Sequence, residues 1–86
     1  MTKKSVTINL ENGLDARPIA LLVQRASQHE SRIYIEIGDK RVNAKSIMGM
    51  MSLVLDNGET LTVSADGTDE KEAVVDLEQF LSGQTA

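Results

Sequence analysis

The chain has no cysteine, no tryptophan, and only one each of proline, histidine, tyrosine and phenylalanine in 86 residues. Each shortage removes a class of chemistry. Without cysteine there is no disulfide framework, thiolate nucleophile, zinc ribbon or iron–sulfur cluster, and a single histidine cannot build a multi-histidine metal site. No metal and no cofactor are expected. An aromatic content of 2% removes the ring platforms on which nucleic-acid bases stack. Positive charge is the minority sign, 9 Lys and Arg against 13 Asp and Glu for a net charge of −4, with an isoelectric point near 4.8. Affinity for nucleic acid comes mainly from neutralising phosphates with Lys and Arg, so direct nucleic-acid binding is not expected. No run approaches the ~20 apolar residues of a membrane span, and Met1-Thr2-Lys3-Lys4 leads into alternating sequence rather than a signal-peptide core. A soluble cytoplasmic protein is expected, with no membrane partner.

What is present is enough for one domain over residues 1–86. A chain of this size buries only about 60% of its unfolded surface, so most of its apolar residues are committed to the core. From Ser5 to Leu10, Val6, Ile8 and Leu10 alternate with polar residues, the period of a half-buried strand. Glu11-Asn12-Gly13 breaks that pattern, and Ile19, Leu22, Val23 and Ala26 then fall at helical spacing within Ala16 to Ser27. Ile33, Ile35 and Ile37 alternate again, and Gly38-Asp39 suits a tight hairpin to a partner strand over Lys40 to Ala44. The apolar run Ile47 to Leu53 does not alternate and predicts a short helix capped by Ser46. Asn57-Gly58 marks a turn, and Leu61, Val63 and Ala65 form a fourth strand. Asp69 with Glu72 three residues on predicts a capping box ahead of the stripe Ala73, Val74, Leu77, Phe80, Leu81. Ser82 to Ala86 reads as a frayed tail.

The order is β-α-β-β-α-β-α. Four strands with one apolar face each are satisfied together by an α+β open-faced β-sandwich, a four-stranded antiparallel sheet with three helices on one side.

Three places carry candidate chemistry. Asp15 precedes the first helix and Pro18 lies in its first turn, where the missing N–H costs little. Asp15 therefore serves as an N-cap whose carboxylate accepts from a free N–H, or the same helix start is an anion site with Arg17 as a guanidinium clamp. Ser46 is an N-cap on spacing alone. Ile47, Met48 and Met51 either pack the short helix onto the sheet or form an exposed apolar patch for a partner, and at least one of the three is expected to face inward. The lone His29 lies near the end of the first helix, where its expected role is that of a polar residue favourable to the helix dipole.

Gly13-Leu14-Asp15-Ala16-Arg17-Pro18 and Val42-Asn43-Ala44-Lys45-Ser46-Ile47-Met48-Gly49 together resemble HPr, the phosphocarrier family of the bacterial sugar phosphotransferase system, in its Gram-positive form. The resemblance covers essentially the whole chain. It implies that the position held by Asp15 is the one where HPr keeps the histidine that accepts phosphate from enzyme I and hands it to sugar-specific permease components. The chain is Crh-like in lacking that histidine, and no catalytic residue is expected. A carboxylate facing an anionic phosphoryl donor usually needs a bound cation, and the adjacent sequence supplies no second carboxylate for one.

The resemblance further implies that Ser46 is a regulatory phosphorylation site for HPr kinase/phosphorylase. It also implies that the phosphorylated protein binds catabolite control protein A, a LacI-type repressor, through Arg17, Ile47, Met48 and Met51. Enzyme I remains a partner without phosphotransfer. The alternatives are a phosphocarrier whose active histidine has been replaced by aspartate, and a structural relative with an unrelated interaction.

Overall fold

The computed structural model describes residues 1–11, 13–53 and 55–83. Its elements follow the expected order: β1 Thr2–Thr7, α1 Ala16–Ala26, β2 Arg32–Ile37, β3 Lys40–Asn43, α2 Ile47–Met51, β4 Thr60–Asp66 and α3 Glu70–Leu81. The four strands form one sheet in the order β1-β4-β2-β3, every pair antiparallel.

The first strand begins and ends earlier than the alternation of Ser5 to Leu10 suggests. Lys3 and Lys4 pair with Ser64 and Val63 of β4, and both lysines are exposed on an edge strand that needs to bury only one face. Ile8 lies past the strand yet stays 1% exposed, held by its N–H to Glu59 O and its carbonyl from Gly58 N–H, both 2.8 Å. Those two bonds place the Asn57-Gly58 turn against the end of β1. The β2–β3 hairpin turns at Gly38, whose φ of 56° is the conformation that favours glycine there.

The helices lie on one side and close a single core. Ile19, Leu22 and Ala26 from α1, Met50 from α2, and Ala73, Val74, Leu77 and Leu81 from α3 meet Ile33, Ile35, Leu61, Val63 and Ala65 from the sheet, all buried. Alternation in the strands and 3.6-residue spacing in the helices aim the same residues inward that the sequence marks as apolar stripes. The opposite sheet face carries polar side chains, including a Thr7–Thr60 hydroxyl pair at 3.2 Å and Arg41 lying 3.8 Å over the Tyr34 ring.

Of the tail expected to fray, Ser82 and Gly83 are bonded into the last turn of α3, to Glu78 O at 2.9 Å and Phe80 O at 3.2 Å. Residues 84–86 lie outside the described residues, as does Asn12 of the break after β1. Among the described residues no helix is long and apolar enough to cross a membrane.

Candidate functional site

The entry to α1 is set by Gly13. Its φ is 70°, and a Cβ there would fall 2.6 Å from Leu55 O, so only glycine lets the two segments close to the Leu14 N–H to Leu55 O bond of 2.8 Å. That bond fixes where Asp15 stands. Asp15 is the residue before the helix, with extended backbone and its carbonyl accepting from Ile19 N–H at 3.0 Å. Its carboxylate makes no capping bond. This corrects the expectation that the side chain caps α1. Arg17, the second residue of the helix, is exposed, and among the described residues its guanidinium has no hydrogen bond or ion pair.

Two recesses flank this helix start. A groove of about 270 Å3 lies between Leu10, Pro18, Leu21 and Phe80 and includes Asp15 and Arg17. A cleft of about 230 Å3 brings Asp15 together with Ile19, Met51, Leu53, Leu55 and Asp56. Asp56 is a second carboxylate that the residues next to Asp15 in sequence do not supply; it arrives through the turn before β4, and only the Leu14–Leu55 bridge reveals the approach. Among the described residues no cluster of three or more His, Cys, Asp or Glu side chains could hold a metal.

Ser46 behaves as its sequence position predicts. It stands before α2 in extended conformation, and its Oγ accepts from Gly49 N–H at 3.2 Å. Its N–H reaches Asn43 O at 3.0 Å and its carbonyl takes Met50 N–H at 2.9 Å. Lys45 beside it donates its N–H to Asn43 Oδ1 at 2.8 Å and its Nζ to the carbonyl of His29 at 2.6 Å. The hydroxyl is thus held on a fixed backbone and half-buried.

The α2 side chains correct a second expectation. None of Ile47, Met48 and Met51 turns inward: they are 50%, 84% and 50% exposed, and the buried residue is Met50 at 0%. α2 advances about 7.5 Å over its five residues, so the patch starts next to Ser46 and reaches, at Met51, the cleft shared with Asp15.

His29 and Asp69 also differ from expectation, and for a common reason. α1 ends at Ala26, and His29 lies in the following turn with its ring between two carboxylates, Nε2 2.9 Å from Asp76 of α3 and Nδ1 3.4 Å from Asp69 just before that helix. Asp69 makes no capping bond to α3; it accepts instead from the N–H groups of Glu30 and Ser31 at 3.0 and 2.9 Å and from the Ser31 hydroxyl. The Ser31 hydroxyl, then the Glu30 and Ser31 N–H groups and the nearby His29, hold the Asp69 carboxyl well below the usual range, against the opposing effect of burial. Glu70 is lowered to about 2, chiefly by the Thr2 hydroxyl and then by the Met1 amino group and Gly67 N–H.

An open-faced α+β sandwich, with an arginine at the start of its first helix and a serine capping its second, defines a small class of proteins. A family model described as "PTS HPr component phosphorylation site" matches residues 2–83. The chain belongs to the HPr family of the phosphotransferase system. Within it the chain is Crh-like: it is 49% identical to the HPr-like protein Crh of Halalkalibacterium halodurans over 94% of this chain and 96% of that protein. It is 44% identical to the HPr-like protein Crh of Bacillus subtilis, covering 94% and 95%. Among solved structures it resembles the phosphocarrier protein HPr from Bacillus anthracis, with a TM-score of 0.89, 45% identity, and 93% and 95% of the two chains covered.

Proposed function

We propose that this chain is a cytoplasmic regulatory protein of carbon catabolite repression. HPr kinase/phosphorylase phosphorylates Ser46, and the seryl-phosphorylated form binds catabolite control protein A. In the kinase step the Ser46 Oγ attacks the γ-phosphorus of ATP, ADP leaves, and the hydroxyl proton passes to the kinase. The product carries about −1.5 to −2 charges beside the first turn of α2. Arg17 and the Ile47, Met48, Met51 surface make the repressor contact.

The observation that carries this reading is the pairing of a fixed, half-buried Ser46 Oγ with three exposed apolar side chains directly after it. Methionines at such a surface adapt to a partner, and a charge added at their edge changes which partner they fit. Phosphocarriage through position 15 is not part of the function. Asp15 presents an anion to an anionic donor, and that carboxylate is a poor nucleophile toward a phosphoryl group without a bound cation. Enzyme I docks on such a surface without transfer, so in this reading it is a silent partner.

Paired labelling tests the proposal. HPr kinase/phosphorylase with ATP adds one phosphate, absent in Ser46→Ala, whereas enzyme I with phosphoenolpyruvate adds none. A wild-type chain left unmodified by the kinase would sink the regulatory reading. Met48→Ala, at the most exposed of the three positions, lowers repressor affinity of the phosphorylated protein by about tenfold, the equivalent of ~1.4 kcal/mol, in a titration against catabolite control protein A.

A further inference from the structure

α2 contains a glycine that its own backbone does not require. Gly49 sits inside the helix and has no positive φ, and a glycine in such a place weakens a helix relative to alanine because it loses more backbone freedom on folding. At Gly13 the fold needs the missing side chain, since a Cβ would meet Leu55 O at 2.6 Å. At Gly49 it does not. A Cβ there would lie 3.4 Å from Ser46 Oγ, 3.6 Å from Ser46 Cβ and 3.8 Å from Val42 Cβ, all ordinary van der Waals contacts that oblige nothing to move.

An alanine would therefore fit the unmodified protein and favour its helix. What glycine preserves is the space directly beside the Ser46 hydroxyl. A hydroxyl tolerates a methyl at contact distance, because its single proton can point elsewhere. A phosphate ester on the same Oγ has fewer directions open to it, because it brings a phosphorus and three acceptor oxygens into the volume around Oγ, and those oxygens need N–H groups or water rather than a methyl. The residue without a side chain is also the one whose N–H points at Oγ, at 3.2 Å. Clearance and donor come from a single position.

We propose that Gly49 is a specificity-determining residue for modification of Ser46: its missing side chain keeps open the volume that a seryl phosphate occupies. This rests on the reading of Ser46 as the regulatory phosphorylation site. A methyl at 49 would sit between the Ser46 side chain and Val42 Cβ, 3.8 Å away on β3, and so would take part of the space next to Oγ.

A synthetic cycle tests the clearance without the kinase. Four chains are made by total synthesis, with serine or phosphoserine at 46 and with or without Gly49→Ala, and their melting temperatures are compared. Unmodified Gly49→Ala melts about 4 °C or more above the unmodified parent, as expected of a glycine-to-alanine change inside a helix. Phosphoserine then lowers the melting temperature of the Gly49→Ala chain by about 4–8 °C more than it does that of the parent. Equal shifts in the two backgrounds overturn the proposal. So does a Gly49→Ala chain that melts below the parent before any phosphate is added, since the methyl then fails to fit even the hydroxyl. With the kinase, the initial rate on Gly49→Ala falls at least about tenfold, ~1.4 kcal/mol in barrier, and an unchanged rate overturns the proposal. A kinase that ignores the parent chain defeats the regulatory reading instead, and the synthetic cycle still decides the clearance.

Discussion

Asp15 and Asp69 each stand just before a helix, and neither carboxylate bonds that helix's own N–H groups. Asp69 is saturated from elsewhere: two N–H groups and a hydroxyl from residues 30 and 31 converge on it, and His29 lies against it. Asp15 has no such neighbours, and Arg17 two residues on is equally unengaged among the described residues. The same residue type at the same formal position is a structural clasp in one region and a solvent-facing charge in the other. Unpaired exposed charge costs the fold little. It also leaves both groups available to whatever docks at the start of α1.

The largest expected effect comes from converting the open position. Asp15→His, with Arg17 and Pro18 untouched, takes phosphate from enzyme I and phosphoenolpyruvate where the parent takes none; incorporation of labelled phosphate measures it. If transfer stays absent, the two regions differ by more than one side chain.

The clasp should break next. Asp69→Ala leaves the Ser31 hydroxyl, on a residue 0% exposed, without its acceptor. A buried donor in that state costs about 1–3 kcal/mol, so the melting temperature falls by at least about 4 °C. The sign with pH follows from the lowered Asp69 carboxyl: its stabilisation is complete above the ordinary value of 3.8 and is lost as pH falls below it toward the folded-state value. The gap between parent and variant therefore narrows in acid, which melts at a series of pH values follow.

The smallest effect belongs to Arg17→Ala. With no partner to lose, it changes stability by less than about 0.5 kcal/mol in denaturant melts. A larger loss would mean that the open region is structural after all.

Most of the fold is legible in the sequence because its signals are local. Period-two runs locate β2 and β4, the Gly38-Asp39 turn locates β3, helical spacing locates α1 and α3, and Ser46 caps α2 as an isolated serine before a helix should. The misreadings occur where distant chain competes. Asp69 and Glu72 have capping-box spacing, yet the donors that capture Asp69 sit 38 and 39 residues away, and no local pattern reports them. The dipole role that the position of His29 suggests is replaced for the same reason, since its partners Asp69 and Asp76 lie just before and within α3. The orientation of α2 was within reach. At about 100° per residue, Ile47, Met48 and Met51 share an arc of about 100° while Met50 lies outside it, so one face could hold all three exposed side chains and a fourth residue could fill the core.

The strand order has a consequence for how the protein comes into being. A chain emerging N-terminus first can close the β2–β3 hairpin once residue 43 is free, but β1 has a single sheet partner, β4, which begins at Thr60. During synthesis the first strand to be made must wait for the last, and so must β2 for its second neighbour. The apolar faces of both stay uncovered through most of translation, and the domain can close only when nearly all of it has been delivered, in one late and concerted step.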